Sequence, residues 1–262
     1  MSRLLKIEFI KIRKSLAFKV TLLICALMCL MDVGLYVVMS SFTNLAEEVL
    51  DMSINGYTMF YSCVTNPSDI LMLSTIVACI IIGGDFASRT LQSQIVAGYS
   101  RTQIVISRFI SSFVLLFVFA TVYTLIIFGG VTLFVGFGIP FTAKILGEML
   151  VSFFMSVFMS YAIMTLYLLI IFIFKSVGPS LGVTMPVMLV GTSIIQILAS
   201  LNDITKKIVS FTPSGQLFVL KDISFDASFG AMGYFKFFAV GLVYVAIMIT
   251  TVIFAFRKAE LK

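Results

Sequence analysis

The 262-residue sequence contains no histidine, and this absence removes the most common general base and the most common metal ligand of proteins. The four cysteines do not replace it. Cys25 and Cys29 share a helix face at spacing i, i+4, but no second pair and no histidine accompanies them. Packing is therefore favoured over metal binding, and the cysteines do not form a disulfide framework. The sequence predicts no catalytic residue and no metal site.

Charged residues are also scarce. They make up 11% of the chain, while hydrophobic residues make up 60%. A soluble domain has about 25% charged residues and about 45–50% apolar ones. The apolar runs are long and do not alternate with polar residues, as the strands of a membrane barrel would. The composition therefore predicts an all-α integral membrane protein.

The sequence has no nucleotide-binding signature. There is no GxxxxGK[ST] motif, and there is too little soluble sequence to form an ATPase domain. No internal hydropathy repeat indicates a secondary transporter, and no span is dense in charged residues as a proton relay would be. The chain is thus not expected to be an enzyme. If it moves a substrate uphill, a partner must supply the energy.

The positions of the charges divide the apolar sequence into six spans, because a charged side chain costs about 2.5–3.5 kcal/mol at the centre of a span. The second span needs residues before Asp69 to reach the ~20 residues of a crossing, so it is expected to begin near Asn66 and Pro67. Residues 1–262 form a single transmembrane domain, with predicted spans at 19–42, 66–84, 107–135, 149–174, 178–201 and 235–256.

Lysine and arginine predict the orientation. Placing both termini in the cytoplasm leaves 13 basic residues inside and five outside. The first outer loop then contains acidic residues and no basic one. We therefore expect a multi-pass protein of the cell membrane with both ends in the cytoplasm.

Residues 1–18 form a basic amphipathic stretch. One narrow helical face contains four apolar residues, namely Leu5, Phe9, Ile12 and Leu16. Such a helix is expected to lie in the headgroup plane of the bilayer, with its cations near anionic lipid. The alternative is a positively charged flank that only orients the first span.

Asp32 is the one carboxylate well inside a predicted span. Ionisable residues in membranes usually face a partner or a water-filled route. Asp32 is therefore a candidate for a substrate path. The alternative is a protonated side chain that forms a hydrogen bond with a neighbouring span.

A polar island from Gly84 to Phe109 separates the second and third spans. It begins with charged residues where the second span ends, continues with a helix-prone segment at 90–97 and a break at Gly98, and ends with the start of a second helix. A simple connection needs only a few residues. An island of this length and pattern indicates a surface that contacts something.

The island resembles the segment after the second span in permease subunits of ABC-2 type ABC transporters. The matching residues are Asp85, Phe86, Thr90, Leu91, Gly98, Ser100, Arg101 and Arg108. Arg89 stands where the family usually has glycine. Residues 210–220, with Thr-Pro-Ser-Gly at 212–215, also resemble the family's segment between the last two spans.

The resemblance implies that residues 86–104 form a cytoplasmic coupling helix seated in a groove of a separate ATPase subunit. It likewise implies short re-entrant helices in the outer segment 208–233, before the last span. The residues implied to contact the ATPase subunit are Phe86, Arg89, Thr90, Leu91, Ile95, Tyr99 and Arg101. Three arginines of the island, at 89, 101 and 108, have a simpler alternative role as positively charged membrane anchors.

The function implied is that of a bacterial ABC exporter permease, energised by a separate ATPase subunit that binds ATP and Mg²⁺. A second permease subunit, identical or homologous, and the lipid bilayer complete the expected partners, and no nucleic acid is among them. Amphipathic peptides, toxins or peptide antibiotics are the implied cargo. Two other functions remain open: an ATP-independent channel or secondary carrier, and a membrane scaffold that binds a cytoplasmic regulator.

Overall fold

The computed structural model describes residues 2–42, 54–88, 90–201, 203–217 and 231–258. Within these ranges the chain is helical and has no β-strand. Its helices are α1 (Ser2–Lys14), α2 (Leu16–Phe42), α3 (Gly56–Thr65), α4 (Ser68–Ala87), α5 (Thr90–Val96), α6 (Arg101–Phe134), α7 (Ala143–Phe174), α8 (Val177–Leu201), α9 (Asp203–Val209) and α10 (Ala231–Lys258).

Six of these helices, α2, α4, α6, α7, α8 and α10, are long and apolar enough to cross a membrane. The prediction of an all-α protein with six such helices is thus confirmed for the described residues. A bilayer favours this solution because each helix satisfies its own backbone hydrogen bonds where no water is present.

The centre of the bundle is α6, which packs against α1 to α5, α7 and α10. The most buried spans are α4 and α7, whereas α2, α8 and α10 are covered by the chain over only a small part of their surface. A helix of the length of α6, 34 residues, extends ~50 Å, against ~30 Å of hydrocarbon. The helix is therefore ~20 Å longer than an untilted crossing of the apolar layer needs.

Several boundaries differ from the predicted ones. The amphipathic stretch 1–18 is divided at Ser15, so that Leu16 belongs to α2 instead of α1. Serine before the first helical residue is a favoured start. The third span begins at Arg101, six residues before the predicted 107, because the side chain of Ser100 caps α6 in a reciprocal pair with Gln103.

The second span is preceded by a helix that the sequence reading did not predict. Asn55 and Thr58 form a capping box that starts α3 at Gly56. A Cβ on Gly56 would lie 2.1 Å from Thr132 Oγ1, so glycine is what allows α3 to approach the end of α6 this closely. The amide of Gly56 donates to the carbonyl of Gly136 at 2.9 Å.

The predicted outer segment 208–233 is described only in part. It begins within α9, and residues 213–217 are helical. Residues 218–230 lie outside the described residues.

Candidate functional site

Four helices meet where α1 packs against the first turns of α6. We call this side of the bundle the α1 end. The end of α4 and the short helix α5 complete it. The polar island of the sequence is thus brought together with the amino-terminal segment.

Arg108 occupies the centre of the α1 end, between two carboxylates. Its Nη1 forms an ion pair with Glu8 of α1, and its Nη2 lies 2.6 Å from Asp85 Oδ2 of α4. The exposed fractions of the three side chains are 1% for Arg108, 1% for Glu8 and 3% for Asp85. A guanidinium group suits this position because its planar fork can contact two carboxylates at once.

Lys11 adds a second cation to Asp85. Its ammonium group forms an ion pair with Asp85 Oδ1 and is partly exposed. Glu8, Lys11, Asp85 and Arg108, which we call the α1-end cluster, therefore contain two formal charges of each sign. The pKa of Lys11 is lowered from 10.5 to about 8, first by burial and then by the charge of Arg108, while Glu8 opposes the shift.

Two polar side chains of α5 attach this helix to the same carboxylates. The Thr90 hydroxyl donates to Asp85, with Oδ1 and the carbonyl oxygen both at 3.1 Å. The Gln94 amide donates to Glu8 Oε1 at 3.5 Å. Movement of α5 would therefore disturb contacts with both α1 and α4.

An apolar cluster lies beside the charged one. Leu91 of α5 packs with Leu4 of α1 and Ile104 of α6, and all three are buried. Partly buried side chains surround these three, namely Phe86, Ile95 and Tyr99. The side of α1 that meets the protein thus includes Leu4 and Glu8. Of the predicted apolar face, Ile12 packs against the core, whereas Phe9 and Leu16 are exposed in the chain.

Arg101 connects the start of α6 to the end of the last span. Its Nη1 donates to the carbonyl of Phe256 at 3.0 Å, and its guanidinium carbon lies 5.9 Å from the centre of the Phe256 ring. Helix carboxyl ends attract such cations, since their last carbonyls lack intrahelical donors. The Phe256 ring also packs edge-on against Phe86 and Phe172.

The outer side of α5 is exposed. Val96 is 87% exposed, whereas Leu91 on the inner side is 2% exposed. After Val96 the chain turns at Gly98, whose φ of 89° is readily adopted only by glycine. The α1 end therefore presents a short helix that is fixed on one side and uncovered on the other.

No family model matches this chain, and no curated protein matches its sequence. The arguments about its function therefore depend on the sequence and on the geometry described above.

Most of the residues predicted to contact an ATPase subunit do gather at the α1 end. Phe86, Leu91, Ile95 and Tyr99 are in or around the apolar cluster, and Thr90 and Arg101 form the hydrogen bonds given above. Leu91 in particular is already packed within the chain. Arg89 lies outside the described residues.

Glu8 and Lys11 are the members that sequence reasoning missed. Glu8 is the single acidic residue among the basic residues of the first 18 positions, and this exception was the available signal. Its partner in the fold is Arg108, 100 positions away.

Asp32 lies apart from the α1 end. It is 16 residues into α2, ~24 Å from the start of that helix. It is half-buried and close enough to Asp69 for their charges to interact, and Tyr123 donates to Asp69 Oδ2 at 3.0 Å. Among the described residues, no three histidine, cysteine or acidic side chains are grouped so as to hold a metal ion.

Proposed function

We propose that this chain is the membrane-spanning permease subunit of an ATP-driven ABC exporter, and that α5 is its coupling helix. In this proposal a separate ATPase subunit binds ATP and Mg²⁺ and contacts the α1 end from the cytoplasm. A second permease subunit, identical or homologous, completes the transport path. Both termini lie in the cytoplasm of a bacterial cell.

The observation that supports this proposal best is the two-sided environment of α5. A helix that only connects two spans needs neither side-chain hydrogen bonds to two other helices nor a buried leucine. Here the inner side has both, through Thr90, Gln94 and Leu91, while the outer side exposes Val96. An uncovered apolar side chain on a firmly held helix is suited to a partner's groove.

The α1-end cluster gives this helix a way to act on the spans. Force applied to α5 would reach α4 through Asp85 and α1 through Glu8, and Arg108 would pass it to α6. The ion pairs of Arg108 with Glu8 and Asp85 are short and buried, so α1, α4 and α6 would shift together rather than separately. This coupling is the property that a permease without its own ATPase domain requires.

The cargo is proposed from the family resemblance alone, as an amphipathic peptide, toxin or peptide antibiotic. Asp32 is the candidate for the substrate path. Its half-buried carboxylate, well away from the α1 end, would suit a cationic group on such a peptide.

The test is affinity purification of the native complex from membranes, with the wild type compared with Val96→Asp. We expect an ATPase with a P-loop to co-purify with the wild type, and at least tenfold less of it with the variant, because a carboxylate would not enter an apolar groove. Phe141→Asp is the matched control, since Phe141 is exposed in the connection between α6 and α7.

Two results would contradict the proposal. The first is a wild-type complex that contains no ATPase, which would favour a channel, a carrier or a scaffold. The second is equal recovery of the ATPase with Val96→Asp and with the wild type, which would show that α5 is not the contact.

A further inference from the structure

The side of α1 that faces away from the bundle is both basic and apolar. Leu4 and Glu8 fix the opposite side of the helix, because both side chains are buried against other helices. At 3.6 residues per turn, six exposed side chains share about a third of the circumference. We call them the outer side of α1: Arg3, Lys6, Ile7, Ile10, Arg13 and Lys14. None of them belongs to the apolar face predicted from the sequence.

The four cations of the outer side have no acidic companion. None of them forms an ion pair with another described residue. Glu8, the only acidic residue of α1, is buried against Arg108. Arg3 and Lys6 are about one turn apart, a spacing at which like charges on a helix repel. Within the described chain the outer side therefore lacks a counter-charge, and an external anion would supply it.

The connection to α2 places this surface beside the bilayer. Only Ser15 separates α1 from α2, which is one of the six helices able to cross a membrane. Leu16, the first residue of α2, is 74% exposed, as expected of a side chain that meets lipid. Arg13 and Lys14 are therefore within one turn of the apolar layer, at the level of the lipid headgroups. Long basic side chains can reach lipid phosphates from this position.

We propose that the outer side of α1 binds anionic phospholipid, with lipid phosphates beside its cations and acyl chains against Ile7 and Ile10, which are 50% and 45% exposed. A lipid fits better than an acidic protein because the surface combines cations with exposed isoleucines next to a membrane span. The opposite side of the same helix carries Glu8, so bound lipid would also hold α1 against the α1-end cluster. This inference does not depend on an ATPase partner.

The site is tested by titrating phosphatidylglycerol into the purified protein in a neutral detergent and measuring the melting temperature. The wild type should be stabilised, and the same amount of phosphatidylcholine should have little effect. Each basic residue near an anionic surface strengthens binding roughly fivefold. The triple variant Lys6→Gln/Arg13→Gln/Lys14→Gln should therefore need at least about tenfold more phosphatidylglycerol to reach half of the stabilisation.

The matched control replaces three exposed lysines on other helices, as Lys144→Gln/Lys207→Gln/Lys236→Gln. Both triple variants lose three positive charges, so attraction by net charge alone would affect them equally. We expect the control to change the half-saturating amount of phosphatidylglycerol by less than about twofold. Equal weakening in the two triple variants would overturn the proposal.

Three further results would also overturn it. The first is a wild type that phosphatidylglycerol stabilises no more than phosphatidylcholine does, which would leave the outer side of α1 to an acidic protein. The second is equal stabilisation by glycerol phosphate, which would indicate a site for a soluble phosphate compound. The third is a half-saturating amount that does not rise with sodium chloride, since salt screens contacts between exposed charges. This last comparison uses only the wild type, so it applies even if a variant fails to fold.

Discussion

The α1-end cluster and the buried hydroxyl groups of α7 are both buried polar regions, but they differ in charge and in the elements that they join. The cluster contains four ionised side chains from α1, α4 and α6, with further hydrogen bonds from α5. The hydroxyl groups of α7 are neutral: Ser156 donates to the carbonyl of Val64 at the break between α3 and α4, and Thr165 donates to the carbonyl of Ala162 in its own helix. Neutral hydroxyls can be satisfied locally, often by a carbonyl one turn away, whereas a buried charge needs a partner of opposite sign.

This difference indicates different roles. A hydroxyl at a helix break stabilises that break and can be replaced at modest cost. A buried arginine between two carboxylates makes three elements depend on one another, because removing any member leaves a charge without its partner. Mechanical coupling is therefore expected at the α1 end, and local stabilisation is expected at the α7 hydroxyl groups.

The largest effect should come from Arg108→Met, which leaves Glu8 and Asp85 buried without their shared cation. Loss of one member of a buried ion pair costs about 3–5 kcal/mol, which corresponds to a fall of roughly 10 °C in the melting temperature of a protein of this size. Thermal unfolding of the purified protein measures it. Arg13→Met is the control, since Arg13 is exposed on α1. Equal falls in melting temperature for the two variants would show that the buried ion pairs of Arg108 do not stabilise the protein.

A double-mutant cycle sharpens the same prediction. The Glu8–Arg108 pair should show a coupling energy of about 1–3 kcal/mol. The exposed pair of Lys144 and Glu148, at 3.9 Å, should show less than about 0.5 kcal/mol. Similar coupling in the two pairs would contradict the contrast between buried and surface charges.

A smaller effect is expected from the apolar cluster that shields the charges. Leu91→Ala should lower the free energy of unfolding by about 2 kcal/mol, near the low end for a buried leucine because the cluster is small. Val96→Ala, on the exposed side of α5, should change it by less than about 0.5 kcal/mol. Denaturant unfolding in detergent measures both. If Val96→Ala were the more damaging change, the assignment of inner and outer sides would be wrong.

The smallest effect concerns Lys11. Because its pKa is lowered to about 8, half of its amines should be uncharged near pH 8 and reactive toward acylating reagents. The pH dependence of Lys11 labelling, followed by mass spectrometry of peptides, should therefore have its midpoint near pH 8. A midpoint near its ordinary value of 10.5 would show that Lys11 is not buried against Arg108.

Two features of the fold could have been found from local sequence. Asn55 with Thr58 and Ser100 with Gln103 each show the spacing of a capping box, which marks the starts of α3 and α6. The predicted third span starts later, at 107, because the charge of Arg101 was treated as lying outside the span. Arg108 lies two turns into α6, where Glu8 and Asp85 compensate its charge.

The site was predictable only in part. The island suggested that Leu91 and Arg101 face a partner. A sequence pattern shows which residues share a helix face, but it does not show whether the same chain or another protein covers that face. In the fold Leu91 is covered by Leu4, and Arg101 reaches the carbonyl of Phe256, 155 positions away. Val96, the exposed apolar residue of α5, was not among the residues predicted to contact a partner.

The sequence by itself determined the class of protein, the six apolar helices and the polar island between the second and third of them. These features follow from local composition, since the cost of placing charge in hydrocarbon acts on each segment separately. Only the tertiary structure decided that Glu8, Asp85 and Arg108 form one cluster and that α5 has a covered and an uncovered side. Such pairings depend on which helices pack together, and this choice is made by contacts between distant parts of the chain.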